Sequence, residues 1–392
     1  MIESVYLEEL SKCVRCGSCK AYCPTYDEDG TEAMSARGRL ALLRELSTGH
    51  LNPSKLLNQR IFSCTVCSKC MTLCPLDVNV REVIYHGRSL LHKTDHTRKA
   101  LRSITRFVLK RPKASFRMLS TAQHFAFPYL SKAGLIPHNT RLPEHTLKDN
   151  IKVFSLSRKK GRVAVFAGCM VNFLYPFLGE ALIRVLHQLR YEVILLAGDL
   201  CCGAPLRSLG LQEQAVELAN RNVELFRRLN VEAVLSLCPT CTLTLKYEYG
   251  EMTGQAIDTA MDITTFFARE FKSVDVPALA SPMNKALYHD PCHLKYGLGI
   301  SQEPRNILKT LGIDLIDTGE SKCCGFAGVF SFSFRELSQN ILQSCTDTYA
   351  ETAAEMIITS CPGCIFQLTK SIQDKPVVHV IELLEEVLLQ KA

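Results

Sequence analysis

The chain has 392 residues, 47% hydrophobic and 22% charged, with a mean hydropathy of +0.05. That is the composition of an ordinary soluble chain of two or three domains, and no run approaches the roughly eighteen uninterrupted apolar residues of a membrane span, the nearest, Val163 to Leu178, being broken by Gly168, Asn172 and Pro176. The net charge of +7 is a local matter, because Lys93 to Arg117 carries nine Lys/Arg against one acid, Asp95.

Nineteen cysteines do not fit that ordinary picture. A chain of this length needs no disulfide staples in place of a core. The first thirteen residues, MIESVYLEELSKC, have no basic start, no apolar run and no small-residue cleavage site, so no secretory signal is read there. A cytoplasmic location is expected, where thiols stay reduced and a cysteine-rich chain reads as metal-binding or catalytic. The odd total and two adjacent Cys-Cys pairs agree with that.

Residues 1–92 hold eight cysteines. Cys13, Cys16, Cys19 and Cys23-Pro24 follow C-x2-C-x2-C-x3-C-P, as do Cys64, Cys67, Cys70 and Cys74-Pro75. This is the two-cluster [4Fe-4S] signature, in which each fourth cysteine serves the other cluster. Cys13, Cys16, Cys19 and Cys74 are then the ligands of one cubane, and Cys64, Cys67, Cys70 and Cys23 those of the other. Structural zinc needs neither the third closely spaced thiolate nor the Cys-Pro ending, twice over. Between the motifs, Ser35 as N-cap and the stripe Leu40, Leu42, Leu43 and Leu46 predict a helix, hence a helical ferredoxin domain. Arg37 and Arg39 read as a solvated face or a partner anchor.

Residues 93–160 read as a basic helical connector followed by a linker from Pro137 to Lys160. Ala100, Leu101, Ile104, Phe107 and Val108 follow helical spacing among Arg98, Arg102, Arg106 and Lys110. Two readings stand: the stripe packs on the ferredoxin domain, or it meets a partner or membrane surface. Nucleic acid is not expected, since no binding motif or regular aromatic interleaving accompanies the charge.

From residue 161 apolar runs alternate with amphipathic helices, the pattern of parallel α/β sheets. Strands are predicted at 162–168, 191–197 and 231–237, with helices near 177–190 and 211–229. The pattern returns with strands at 285–290, 313–317 and 355–360 and helices near 303–311 and 334–352. Cys169, Cys201 and Cys238 recur as Cys292, Cys323 and Cys361, at offsets of 123, 122 and 123 residues. The fold class is thus multidomain α+β and α/β: a helical two-cluster domain, then two tandem α/β repeats with mostly parallel sheets, 161–280 and 281–392.

Each repeat carries five cysteines: Cys169, Cys201, Cys202, Cys238 and Cys241 in the first, Cys292, Cys323, Cys324, Cys361 and Cys364 in the second. They follow predicted strands, where ligands sit in open α/β sheets, so one pocket per repeat is expected. Five soft thiolates select an iron-sulfur species over magnesium or calcium and exceed the four corners of a cubane. Gly203 and Gly325, after each Cys-Cys pair, are expected to allow positive φ or close backbone approach. Cys345 reads as a small core residue and His379 as structural. His289 and His293, flanking Cys292, read as packing or capping residues, with hydrogen bonding to sulfur or proton relay as the alternative.

The pattern C-x31-CCG-x34-C-x2-C, followed by C-x30-CCG-x35-C-x2-C, resembles the paired cysteine-rich CCG domains of heterodisulfide reductase catalytic subunits and of the iron-sulfur subunits of glycolate oxidase, lactate dehydrogenase and anaerobic glycerol-3-phosphate dehydrogenase. The order of two ferredoxin motifs and two CCG repeats is similar to these families over nearly the whole chain. The resemblance implies a non-cubane [4Fe-4S] cluster in each complete five-cysteine set. Tyr288-His-Asp-Pro-Cys-His-Leu294, Glu303-Pro-Arg305 and both intact C-x2-C pairs resemble the heterodisulfide reductase side. Cys324-Gly-Phe-Ala-Gly328 and Pro376 to Leu384 resemble the hydroxyacid oxidase side.

No dinucleotide-binding, Walker, zincin or nucleophile-elbow motif is found. A carrier of single electrons without flavin or nicotinamide needs a partner for two-electron chemistry. The leading expectation is an electron-transfer subunit between an FAD-containing 2-hydroxyacid dehydrogenase-type subunit and a quinone, cytochrome or other iron-sulfur carrier, peripheral at the inner membrane face if a membrane is involved. The alternative is a disulfide-reducing catalytic subunit with Cys323 and Cys324 as reacting thiolates. A third reading makes the CCG half a structural or zinc scaffold.

Overall fold

The structure, a computed structural model, describes residues 2–138, 140–150, 159–196, 201–272, 285–319 and 322–389. Ala197, parts of the linker and the end of the first repeat lie outside the described residues.

The N-terminal region is helical, with helices Ile2–Lys12, Ala36–Ser47, Lys55–Phe62 and Val80–Leu91. Ser35 caps the second of these, its hydroxyl accepting from the Gly38 amide at 3.1 Å, one of the four orphan donors of a helix start. Leu40 and Leu43 then face Ile61, Val83 and Ile84 in a closed core. Arg39 corrects its predicted surface role. It is fully buried and donates to the Arg60 carbonyl at 2.7 Å and to the Thr25 and Ser63 hydroxyls at 3.0 Å each. Thr25 and Ser63 stand beside Cys23 and Cys64, so one guanidinium fixes the spacing of the two cysteine motifs.

The connector forms helices Lys99–Lys110 and Pro112–Lys132. Pro112 opens the second, where its missing N–H has no intrahelical acceptor to lose. Asp95 holds Arg98 at 2.9 Å and Arg102 at 2.7 Å, and Arg102 donates to the Leu209 carbonyl at 3.0 Å. Leu101 and Leu109 pack on the first repeat's core. Of the two readings of the stripe, packing of the whole of it on the ferredoxin domain is not what forms: Ile104, Phe107 and Val108 stay exposed, with Met118, Phe125 and Tyr129 of the second helix. A narrow contact edge, rather than the broad apolar face, anchors the hairpin.

Two four-stranded, all-parallel sheets follow. The first contains β1 (Gly161–Val165), β2 (Tyr191–Leu195), β3 (Ala233–Ser236) and β4 (Ala260–Asp262) in the order β2-β1-β3-β4. The second repeats that order as β6-β5-β7-β8, from β5 (Ala286–His289), β6 (Leu315–Ile316), β7 (Met356–Thr359) and β8 (Val377–His379). Helices on both faces bury Val163, Ala164 and Val165 alike, which is why these strands read as continuous apolar runs. The predicted strand at 313–317 shrinks to two residues. β4 and β8, which the apolar-run reading missed, are three-residue edge strands leading directly into helices Ile263–Glu270 and Val380–Leu389.

Those two helices join the repeats. Val380–Leu389 packs on Pro176–Gln188, and Ile263–Glu270 on Gln302–Thr310, so each repeat lends its β4-type helix to the other's first helix. One core results, holding Leu182, Leu186, Phe266, Leu308 and Leu384. Truncating a side chain such as Leu384 to Ala costs about 2–5 kcal/mol. Buried His379 ties the sheets together where their strands end: its Nδ1 accepts from the Ile381 amide at 3.2 Å, and its Nε2 donates to the Leu237 carbonyl at 3.1 Å.

Candidate metal centres

The eight N-terminal cysteines divide between two pockets. Cys13, Cys16, Cys19 and Cys74 line one, with Cys70 in its wall. Cys23, Cys64, Cys67 and Cys70 line the other. Each motif bends by the same backbone device: Arg15 and Gly17 have φ of 61° and 92°, and Val66 and Ser68, at the equivalent positions, 55° and 65°. A β-branched residue in the left-handed region is strained by roughly 1–3 kcal/mol, so Val66 needs outside support. His293 gives it, donating from Nε2 to the Val66 carbonyl at 3.0 Å while Nδ1 accepts from the Thr240 hydroxyl at 2.8 Å. Its expected packing role is thereby specific: one imidazole joins cysteine segments of the N-terminal domain and both repeats.

The ten repeat cysteines stand beyond the carboxyl ends of their strands. Gly203 and Gly325 have φ of 93° and 77°, and each amide donates to the first sulfur of its pair, Cys201 at 3.4 Å and Cys323 at 3.3 Å. A Cβ on Gly325 would lie 2.6 Å from the Ser338 carbonyl oxygen, so only glycine fits.

The expectation of one pocket per repeat is corrected. Thiols close enough to shift one another's ionisation run unbroken from Cys169 through Cys201, Cys202, Cys241 and Cys238, cross to Cys361, and continue through Cys364, Cys324 and Cys323 to Cys292. The Cys324 and Cys364 sulfurs are 3.4 Å apart. Both sets border one cavity of about 280 Å³, walled otherwise by apolar groups such as Met170, Pro205, Phe326 and Val329. The pairing of the repeats through their helices makes the strand ends face each other, which a repeat read in isolation does not reveal. Cys345, buried, points instead to the Lys322 carbonyl at 3.6 Å.

Shared hydrogen bonds with neighbouring sulfurs, then burial, push the thiols of Cys169, Cys292 and Cys364 well above the usual range. Burial raises Cys67 to about 12, and neighbouring Cys323 adds to this. So many thiolates cannot crowd together without a cation to neutralise them. The donors are all soft sulfur, which fits iron-sulfur groups rather than hard cations. Cys13, Cys16, Cys19 and Cys74, then Cys23, Cys64, Cys67 and Cys70, and the cysteines of the repeats are thus grouped as iron-sulfur groups would require.

A second cavity, of about 380 Å³, lies between the N-terminal domain and the second repeat, bordered by Cys67, Lys69, His289, Cys292, Lys322 and Cys323. Arg207, fully buried, locks the N-terminal domain to the first repeat through Glu82 at 2.6 Å, Glu248 at 3.2 Å and the Tyr85 ring at 3.9 Å. Sequence reading did not single out this network, because lone charges on amphipathic helices look like surface.

Comparison with known proteins agrees with this domain order. Residues 9–78 match the family described as 4Fe-4S dicluster domain, and residues 163–246 and 286–369 each match Cysteine-rich domain. The chain is 29% identical to the glycolate oxidase iron-sulfur subunit of Escherichia coli, over 97% of this chain and 94% of that one. It is 27% identical to the probable glycolate oxidase iron-sulfur subunit of Bacillus subtilis, over 96% and 94%. Against one subunit of the dihydromethanophenazine:CoB–CoM heterodisulfide reductase of Methanosarcina barkeri it is 26% identical, over 99% and 96%. A solved structure of a hypothetical protein from Helicobacter pylori shares the fold at a TM-score of 0.51 and 10% identity, over 91% of this chain and 68% of that one.

Proposed function

Because the chain belongs to the iron-sulfur subunits that join a dicluster domain to two cysteine-rich domains, and serves electron transfer in an oxidoreductase complex, we propose that its electrons run from the dicluster domain through the second repeat to the first. The continuous thiol series carries this reading. Cys67 lies close enough to Cys323 and Cys292 to raise their pKa values or have its own raised, so the pocket of Cys23, Cys64, Cys67 and Cys70 adjoins the second repeat. When bound, the clusters supply one-electron steps. The chain's residues hold them in order and keep water away: Cys201, Cys202, Cys238 and Cys241 are all buried.

The electron donor in this reading is an FAD-containing subunit acting on a 2-hydroxyacid, and the acceptor a quinone, cytochrome or other iron-sulfur carrier. Purification of the native complex tests it: co-purification of a flavoprotein whose reduction bleaches the clusters supports it, and a flavin-free complex contradicts it. The exposed, basic hairpin at 99–132 supports contact with an anionic lipid surface, since Ile104, Phe107, Phe125 and Tyr129 lie open beside Arg106, Lys110 and Lys113.

One observation favours a second reading. The shared cavity brings the two five-cysteine sets to one apolar space, suited to a disulfide that takes up two electrons and two protons and leaves as two thiols. Cys323 and Cys324 would act there, and loss of turnover in Cys324→Ala with intact cubane signals would support it.

A further inference from the structure

The two repeats can be compared position by position at an offset of 123 residues, and they differ beside the last cysteine of each set. In the first, Phe166 and Phe226 pack with ring centroids 5.9 Å apart. The equivalent residues in the second are His289 and Tyr349, with centroids 6.0 Å apart. The geometry is kept and the chemistry is changed: His289 Nδ1 and the Tyr349 hydroxyl are 2.6 Å apart, and both residues are buried.

That pair faces sulfur. A ring nitrogen of His289 and the sulfurs of Cys324 and Cys364 all lie within 4.8 Å of one another. In the first repeat the Cys241 sulfur and the Phe166 ring both flank Gly168, and a phenyl ring offers no donor. Nδ1 is taken up by the Tyr349 hydroxyl, which leaves one ring N–H to face sulfur. With the Tyr349 hydroxyl donating to Nδ1, that N–H is on Nε2.

We propose that His289, oriented by Tyr349, donates a hydrogen bond to the cysteine sulfur of the second centre, Cys324 or Cys364, and makes that centre easier to reduce than the first. A hydrogen bond to a ligating sulfur favours the more negative, reduced state of a cluster. The inference rests on reading both five-cysteine sets as cluster ligands. Its consequence is that the onward step to the first repeat is uphill, so electrons arriving from the dicluster domain collect at the second centre, the one that borders the 380 Å³ cavity, before they cross.

The test is a redox titration of the full chain in its native complex, followed by electron paramagnetic resonance, with iron measured on every sample. Cys364→Ser assigns the second centre's signal. In His289→Phe, which copies the first repeat, and in Tyr349→Phe, the second centre's midpoint should fall while the first centre and the cubanes keep theirs and iron is unchanged. Unmoved midpoints in both variants overturn the proposal. Loss of the second centre's iron in His289→Phe with retention in Tyr349→Phe also overturns it, since His289 would then be a ligand. Wild-type repeats that hold no iron would instead overturn the cluster reading itself.

Discussion

His293 Nε2 reaches the Val66 carbonyl at 3.0 Å, so the strained bend between Cys64 and Cys67 is held from the second repeat. His293→Ala removes that donor and leaves the Thr240 hydroxyl without its acceptor as well. A destabilisation of about 1–3 kcal/mol is expected, read as a lower urea midpoint of the iron-loaded chain. An unchanged midpoint would show that the bend holds itself.

Glu251 gives a pH dependence. Arg81 lies 3.2 Å from it and Asn79 donates to it at 2.9 Å. Burial and the neighbouring Glu82 nevertheless push it up to about 8, while burial of Glu82 is outweighed by Arg207, Arg81 and the hydrogen bond with Glu251 together, which hold Glu82 low. Glu251 keeps a proton in the folded chain that an unfolded glutamate, near 4.3, has lost. The folded state therefore binds more protons between about 4.3 and 8, and stability falls as pH rises through that window. Glu251→Gln should flatten this slope in unfolding curves. The same slope in wild type and variant would contradict the assignment.

The crossing of the fourth cysteines is separable by spectroscopy. Cys74→Ser should perturb the same cubane signal as Cys16→Ser, and Cys23→Ser the same signal as Cys67→Ser. Each fourth cysteine matching its own motif instead would refute the crossed ligand sets.

For the basic hairpin, the full chain should co-sediment with vesicles containing anionic lipid and not with zwitterionic ones. Salt should weaken the binding, since each Lys or Arg near such a surface contributes about 1 kcal/mol. Phe107→Ser combined with Phe125→Ser should lose it. Binding to neither vesicle, with a partner subunit covering the hairpin, would assign the face to protein.

Much of this was legible in the residues. Cysteine-motif spacing is local, so the motif cysteines that the fold gathers at its pockets stand out in the sequence, and apolar runs such as that at 162–168 announce their strands. β4 and β8 were missed because three edge residues carry little periodicity. Arg39 was misplaced because pattern reading puts arginine outside, whereas its Nε and Nη2 here meet a carbonyl and two hydroxyls. The shared cavity depends on how Pro176–Gln188 meets Val380–Leu389, a long-range packing choice that no local pattern encodes. The exchange of Phe166 and Phe226 for His289 and Tyr349 was readable, had the 123-residue offset been carried beyond the cysteines.

The most direct test of the electron path is iron and sulfide content with metal identity, measured on chain purified without oxygen. Four four-iron centres predict about sixteen iron atoms and as many sulfides per chain, all reducible in the complex. About eight irons with zinc in the repeats would contradict the account, because the ten repeat thiols would then be scaffold rather than conductor.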